Sequence, residues 1–89
     1  MPNHRPFAVD GLDVNEVSDG LIVYDPARDR VHYLNNTAAA IFTLCDGTRD
    51  VKAIVDAVGT VFGAEAPSRA QVEACLGDLK EEGVLRSGG

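Results

Sequence analysis

The sequence predicts an α+β domain, a three-stranded antiparallel β-meander followed by a winged-helix-like bundle of three helices. Two observations carry this expectation. Between Leu12 and Leu34 the apolar residues alternate or run in short β-branched and aromatic stretches broken by turn signals. From Thr37 onward they recur at helical spacing, and each run is preceded by a capping residue and followed by glycine.

The first strand is read at Leu12–Val17, where the alternation begins. Asp19-Gly20 then supplies residues suited to a two-residue hairpin turn. Leu21-Ile22-Val23-Tyr24 is the second strand. A longer turn at Asp25-Pro26-Ala27-Arg28-Asp29 follows, where Asp bonds its own backbone and Pro presets φ. The third strand is Arg30–Leu34. Asn35 or Asn36 caps a helix whose apolar face is Ala38, Ile41, Phe42 and Cys45, with Gly47 as its stop. Asp50 caps a second helix bearing Val51, Ile54, Val55, Val58 and Phe62, ended by Gly63. Ser68 and Gln71 form a capping box for the third, whose stripe is Val72, Cys75, Leu76 and Leu79. Gly83 closes it, and Val84-Leu85 folds back on the core. Gly59 and Gly77 sit inside helices at a cost of about 1 kcal/mol each relative to Ala. Gly77 flanks the apolar stripe, serving either close helix packing or a partner.

Eighty-nine residues make one domain, read as residues 9–85 between polar, Pro- and Gly-rich ends at 1–8 and 86–89 that nothing in the sequence pins down. The net charge of −6 opposes binding to nucleic acid phosphates. No signal-peptide pattern or membrane-length apolar run occurs, so a cytoplasmic protein is expected. Cys45 and Cys75 lie within helical apolar patterns and are read as buried free thiols. No Cys-x-x-Cys, phosphate loop or nucleophile motif is present, and neither metal, cofactor nor catalytic residue is assigned. Asp78, Glu81 and Glu82 fall mostly opposite the apolar stripe and read as a solvated face.

The run Leu34-Asn35-x-Thr37-Ala38-Ala39-x-Ile41-x-x-Leu44-x-Asp46-Gly47-Thr48-x-x-Val51-x-x-Ile54-Val55, with the later Val72, Leu76, Leu79 and Gly83-Val84-Leu85, resembles the signature of the PqqD-like proteins. The resemblance covers about residues 12–85. It implies a non-enzymatic recognition element that binds the leader of a ribosomally made precursor peptide and presents it to a modifying enzyme, often a radical SAM protein. Pyrroloquinoline quinone biosynthesis is one such pathway. In that family the leader adds as an antiparallel strand between the third strand and the third helix. Carried over, this implies a peptide site at Arg30, Val31, His32, Tyr33 and Leu34 and at Val72, Cys75, Leu76 and Leu79. Two departures are visible: Phe42 stands where Trp is common, and Ala64-Glu65-Ala66-Pro67 is not diagnostic.

Val31 and Tyr33 share one face of the strand, His32 and Leu34 the other, and the alternation alone does not say which is inward. Two other readings compete. A winged-helix DNA-binding regulator would use residues 68–82 for recognition. There Arg69 and Lys80 face Glu73, Asp78, Glu81 and Glu82, leaving the segment two charges negative. A structural subunit of an enzyme complex would show no affinity for peptide alone. An unpaired edge strand also admits a homodimer.

Overall fold

The computed structural model describes residues 5–88, with side chains up to Arg86. The meander is β2 (Asp13–Val17), β3 (Gly20–Asp25) and β4 (Arg30–Asn35), with β3 central and antiparallel to both neighbours. The helices are α1 (Asn36–Leu44), α2 (Val51–Phe62) and α3 (Arg69–Glu81), with a 3-10 turn at Gly63–Glu65 before α3. The expected fold class holds.

The hairpin register differs by one residue from the expected turn. Val17 pairs with Gly20, so Ser18 and Asp19 form the loop and Gly20 opens β3. The glycine is required by crowding. A Cβ there would run into the carbonyl oxygen of Leu34 on β4. Close strand approach decides this position more than turn geometry does.

The three helix starts form as their side chains dictate. Asn35 accepts from the Ala38 N–H at 2.9 Å, Asp50 from the Ala53 N–H at 2.9 Å, and Ser68 and Gln71 bond reciprocally as a capping box. The first helix stops sooner than its glycine suggested. Cys45 is the C-cap, and Gly47 lies in the following loop at φ 85°. Asp46 holds that loop by accepting from the Thr48 N–H and hydroxyl and pairing with Arg49. Its carboxyl is held below the usual range chiefly by the Thr48 hydroxyl, then by the Thr48 N–H and the Arg49 charge.

One side of the sheet packs on the helices. Val23 and Leu34 from the sheet, Ile41, Phe42 and Cys45 from α1, Ile54 and Val58 from α2, and Val72, Leu76 and Leu79 from α3 form one buried core with Val84 and Leu85. The chain ends depart from expectation. Arg5–Ala8 (β1) pairs antiparallel with Leu85–Gly88 (β5), and Gly47 N–H donates to the Pro6 carbonyl at 3.0 Å. The two segments lack an internal pattern because each one's backbone is satisfied by the other, with Pro6 and Leu85 turned inward. Residues 1–4 and 89 of the expected tails lie outside the described residues.

Cys45 is buried and its thiol donates to the Ile41 carbonyl at 3.0 Å. Burial, then the neighbouring Cys75 and Asp46, push its pKa up to about 12. The unfolded chain releases this proton near pH ~9, while the native thiol keeps it until about 12. The contribution is therefore complete below pH ~9 and is lost as pH rises toward 12. Urea midpoints at pH 8 and 10.5 should fall further in the parent than in Cys45→Ala. Equal falls would remove Cys45 as the cause.

Candidate functional site

The register decides which face of β4 is inward. Val23 pairs with His32 and Leu21 with Leu34. Val23 and Leu34 are core, so His32 and Leu34 point toward the helices. Val31 and Tyr33 point outward and remain 64% and 53% exposed. The Tyr33 hydroxyl donates to the Asp19 carbonyl at 3.2 Å, bracing β4 against the hairpin loop. A side-chain hydrogen bond with Asp19, then burial and the Asp19 charge, raise the phenol's pKa by favouring its neutral form.

Among the described residues only β3 pairs with β4, so the far edge of β4 carries no other strand of the sheet there. Alongside that edge runs one side of α3. Glu82, just past the helix end, lies 3.7 Å from the Arg30 guanidinium and 3.5 Å from His32 Nδ1. At the other end of β4, a cavity of about 390 Å³ opens between Asn35, Ala38 and Ile41 on one wall and Pro67, Gln71 and Cys75 on the other. Strand and helix are therefore antiparallel, with Arg30 against Glu82 and Asn35 near Cys75. Gln71, Cys75, Asp78 and Glu82 follow an i, i+4, i+7, i+11 line along the helix. Asp78 acts on the same wall: after burial, its charge is the second cause raising the Cys75 pKa.

The residues expected at the site divide into two groups. Arg30, Val31, His32, Tyr33 and Leu34 form the strand beside the groove. Of the four expected α3 residues, Cys75 alone lines the cavity. Val72, Leu76 and Leu79 are at most 5% exposed and belong to the core, which leaves little of their surface for a peptide. Their stripe faces the sheet and the other helices, because α3 must bury an apolar side to stay attached. The groove wall is the neighbouring, more polar line. Thr37, Ala38, Ile41, Pro67 and Gln71 also line the cavity and Glu82 contacts β4, none of which the sequence reading singled out for the site. The alanines after Thr37 were the available signal, since small side chains leave room beside a helix.

His32 carries an unusual atom for this location. Its Nε2 is buried with no hydrogen-bond partner among the described residues, at a cost on the order of 1–3 kcal/mol. Gly77 does not face the groove. It lies on the exposed far side of α3, and nothing would meet a Cβ there within 4 Å. Neither close packing nor a partner in the groove explains it.

The arrangement is a recognised one among solved structures. The fold matches that titled "TbiB1 in Complex with the TbiA(beta) Leader Peptide" with a TM-score of 0.76 at 16% identity, covering 90% of this chain and 94% of the other. It also matches the solution structure of the PqqD truncation of Methylobacterium extorquens PqqCD, described as a stand-alone RiPP recognition element. There the TM-score is 0.66 at 24% identity, over 91% of this chain and 87% of that one. At these identities the likeness is one of fold.

Sequence comparison defines the family. A family model described as "Coenzyme PQQ synthesis protein D (PqqD)" matches residues 20–85, and the chain belongs to that family. Two proteins of Rhodopseudomonas palustris, each named "PqqA binding protein", are similar over 60 residues. The one from strain TIE-1 is 42% identical and the one from strain BisB5 40%. Each match spans 66% of this chain and 59% of the relative.

Proposed function

We propose that this chain binds the leader of a ribosomally synthesised precursor peptide by taking it as an added strand on β4, and presents it to a modifying enzyme. Coenzyme PQQ biosynthesis is the pathway that its family and the names of its relatives favour. The observation that carries this reading is the open β4 edge running beside the Gln71–Cys75–Asp78–Glu82 wall, with a cavity at one end. An unpaired edge offers backbone donors and acceptors to an extended peptide, and pockets beside it select side chains. Each added backbone bond contributes on the order of 1 kcal/mol and each buried apolar side chain roughly 1.5–3 kcal/mol. Those sizes suit binding that is firm enough for delivery and weak enough for release.

In this reading the chain has no catalytic task. The bond-making steps belong to the partner, a radical SAM protein or similar enzyme, in the cytoplasm. A homodimer formed through β4 would compete with the peptide for the same edge. The α3 segment offers DNA little, for its acids outnumber its bases. Isotope-labelled protein should be titrated with a synthetic PqqA-type precursor peptide. Saturable shifts are expected at amides 30–35 and along the groove side of α3. Shifts confined to the chain ends would refute the proposal.

A further inference from the structure

Among the described residues the sheet has two free edges, and the proposed peptide site uses only one. Beside the other, a cavity of about 370 Å³ lies between the β2–β3 hairpin and the helices. Val17 and Leu21 line it from the hairpin, Ala39, Ala40 and Leu44 from α1, and Val61 from α2. The only charged residue in its lining is Glu16. Every residue of β2 is exposed, and Val61 is 65% exposed although it is a large aliphatic residue. The run Ala38-Ala39-Ala40 gives α1 two shallow sides, Ala38 toward the cavity near β4 and Ala39 and Ala40 toward this one.

The charge on this side is one-signed. From Phe7 to Ala27 the chain holds Asp10, Asp13, Glu16, Asp19 and Asp25 and no Lys or Arg. Those five acids account for most of the net charge of −6. Asp13, Glu16 and Asp19 are exposed, and among the described residues no ion pair reaches any of them.

We infer that the β2 edge and its cavity dock a cationic segment of the modifying protein, which lies along β2 and sets an aliphatic side chain between Leu21 and Val61. The free strand edge calls for an extended partner. The cavity calls for an aliphatic side chain, and the unpaired carboxylates for Lys or Arg. A second copy of this chain is a poor occupant, because two acidic β2 strands would meet with like charges opposed. β3 separates the two edges by about 10 Å, so peptide and protein can be held together without sharing a strand. Naming the modifying protein as the partner rests on the proposed function, whereas the chemistry of the surface does not.

The test is a titration of the labelled full chain with two synthetic nine-residue peptides, one alternating Lys and Val, the other Glu and Val. The Lys–Val peptide should saturably shift amides Asp13–Val17 and the methyls of Leu21, Ala39, Ala40 and Val61. The Glu–Val peptide should not. Val61→Asn, which removes the apolar contact at constant charge, and Glu16→Lys, which reverses the charge, should each weaken binding at least fivefold. Both positions are exposed, so both variants keep the core. Shifts restricted to β4 and α3, an equal response to the two peptides, or β2 shifts unchanged in either variant would overturn the inference. The precursor titration reads β4 separately, so the two proposals fail independently.

Discussion

Ile41→Ala should lower the unfolding free energy by about 2–5 kcal/mol, the range for truncating a buried Ile to Ala. Ile41 is 1% exposed and packs within the core that joins α1 to the sheet, α2 and α3. A domain of this size has roughly 4–13 kcal/mol to lose, so the change removes a substantial part of it. The midpoint of thermal unfolding should drop by about 8 °C or more. Ile41 also reaches the cavity between α1 and α3, so the variant enlarges the groove floor. The backbone edge of β4 is untouched, and protein still folded in the cold should bind precursor peptide by the same β4 amides. A loss below 1 kcal/mol, measured by urea denaturation, would show that α1 is not anchored through this residue.

The scaffold was legible because its signals are local. Asn35, Asp50 and Ser68 each cap the helix that follows, and a cap is a contact within three residues along the chain. The β-branched and aromatic run of β3, bounded by turn residues, is likewise a local signal. What escaped were contacts distant in sequence. The β1–β5 ribbon joins residues about eighty apart, and neither strand has a pattern of its own to announce it. Gly20 looked like a turn residue, yet its decisive neighbour is Leu34 across the sheet.

The candidate site was half legible for the same reason. The strand could be placed, but its inward face could not, since periodicity of two gives parity without a sign. Pairing of Val23 with His32 supplied the sign. On α3 the apolar stripe drew attention to Val72, Leu76 and Leu79, which hold the helix down. The groove runs along the adjacent line, where Gln71 doubles as part of the capping box and Glu82 meets Arg30 and His32. An apolar stripe marks what a helix gives to its own core. Residues left for a partner sit at its margin, where composition is mixed and the sequence signal weak.

Cys75→Arg should reduce precursor-peptide affinity by about 10–100-fold while leaving the fold nearly as stable. Cys75 is half-buried at that margin and lines the cavity on the α3 side. An arginine there would lay its methylene stem along the groove and keep its guanidinium in water, beside Asp78 one turn on. The stem would occupy the space of one apolar leader side chain, whose burial contributes roughly 1.5–3 kcal/mol. A loss of that size corresponds to one to two decades in Kd. Gly77→Ala is the matched control on the far side of the same helix, where a Cβ meets nothing within 4 Å. It should raise stability by up to about 1 kcal/mol and leave affinity unchanged. Calorimetric titration of both variants decides the matter. Unchanged affinity in Cys75→Arg, or an equal loss in Gly77→Ala, would move the peptide off this groove, whereas loss in the first alone ties binding to the side of α3 that faces β4.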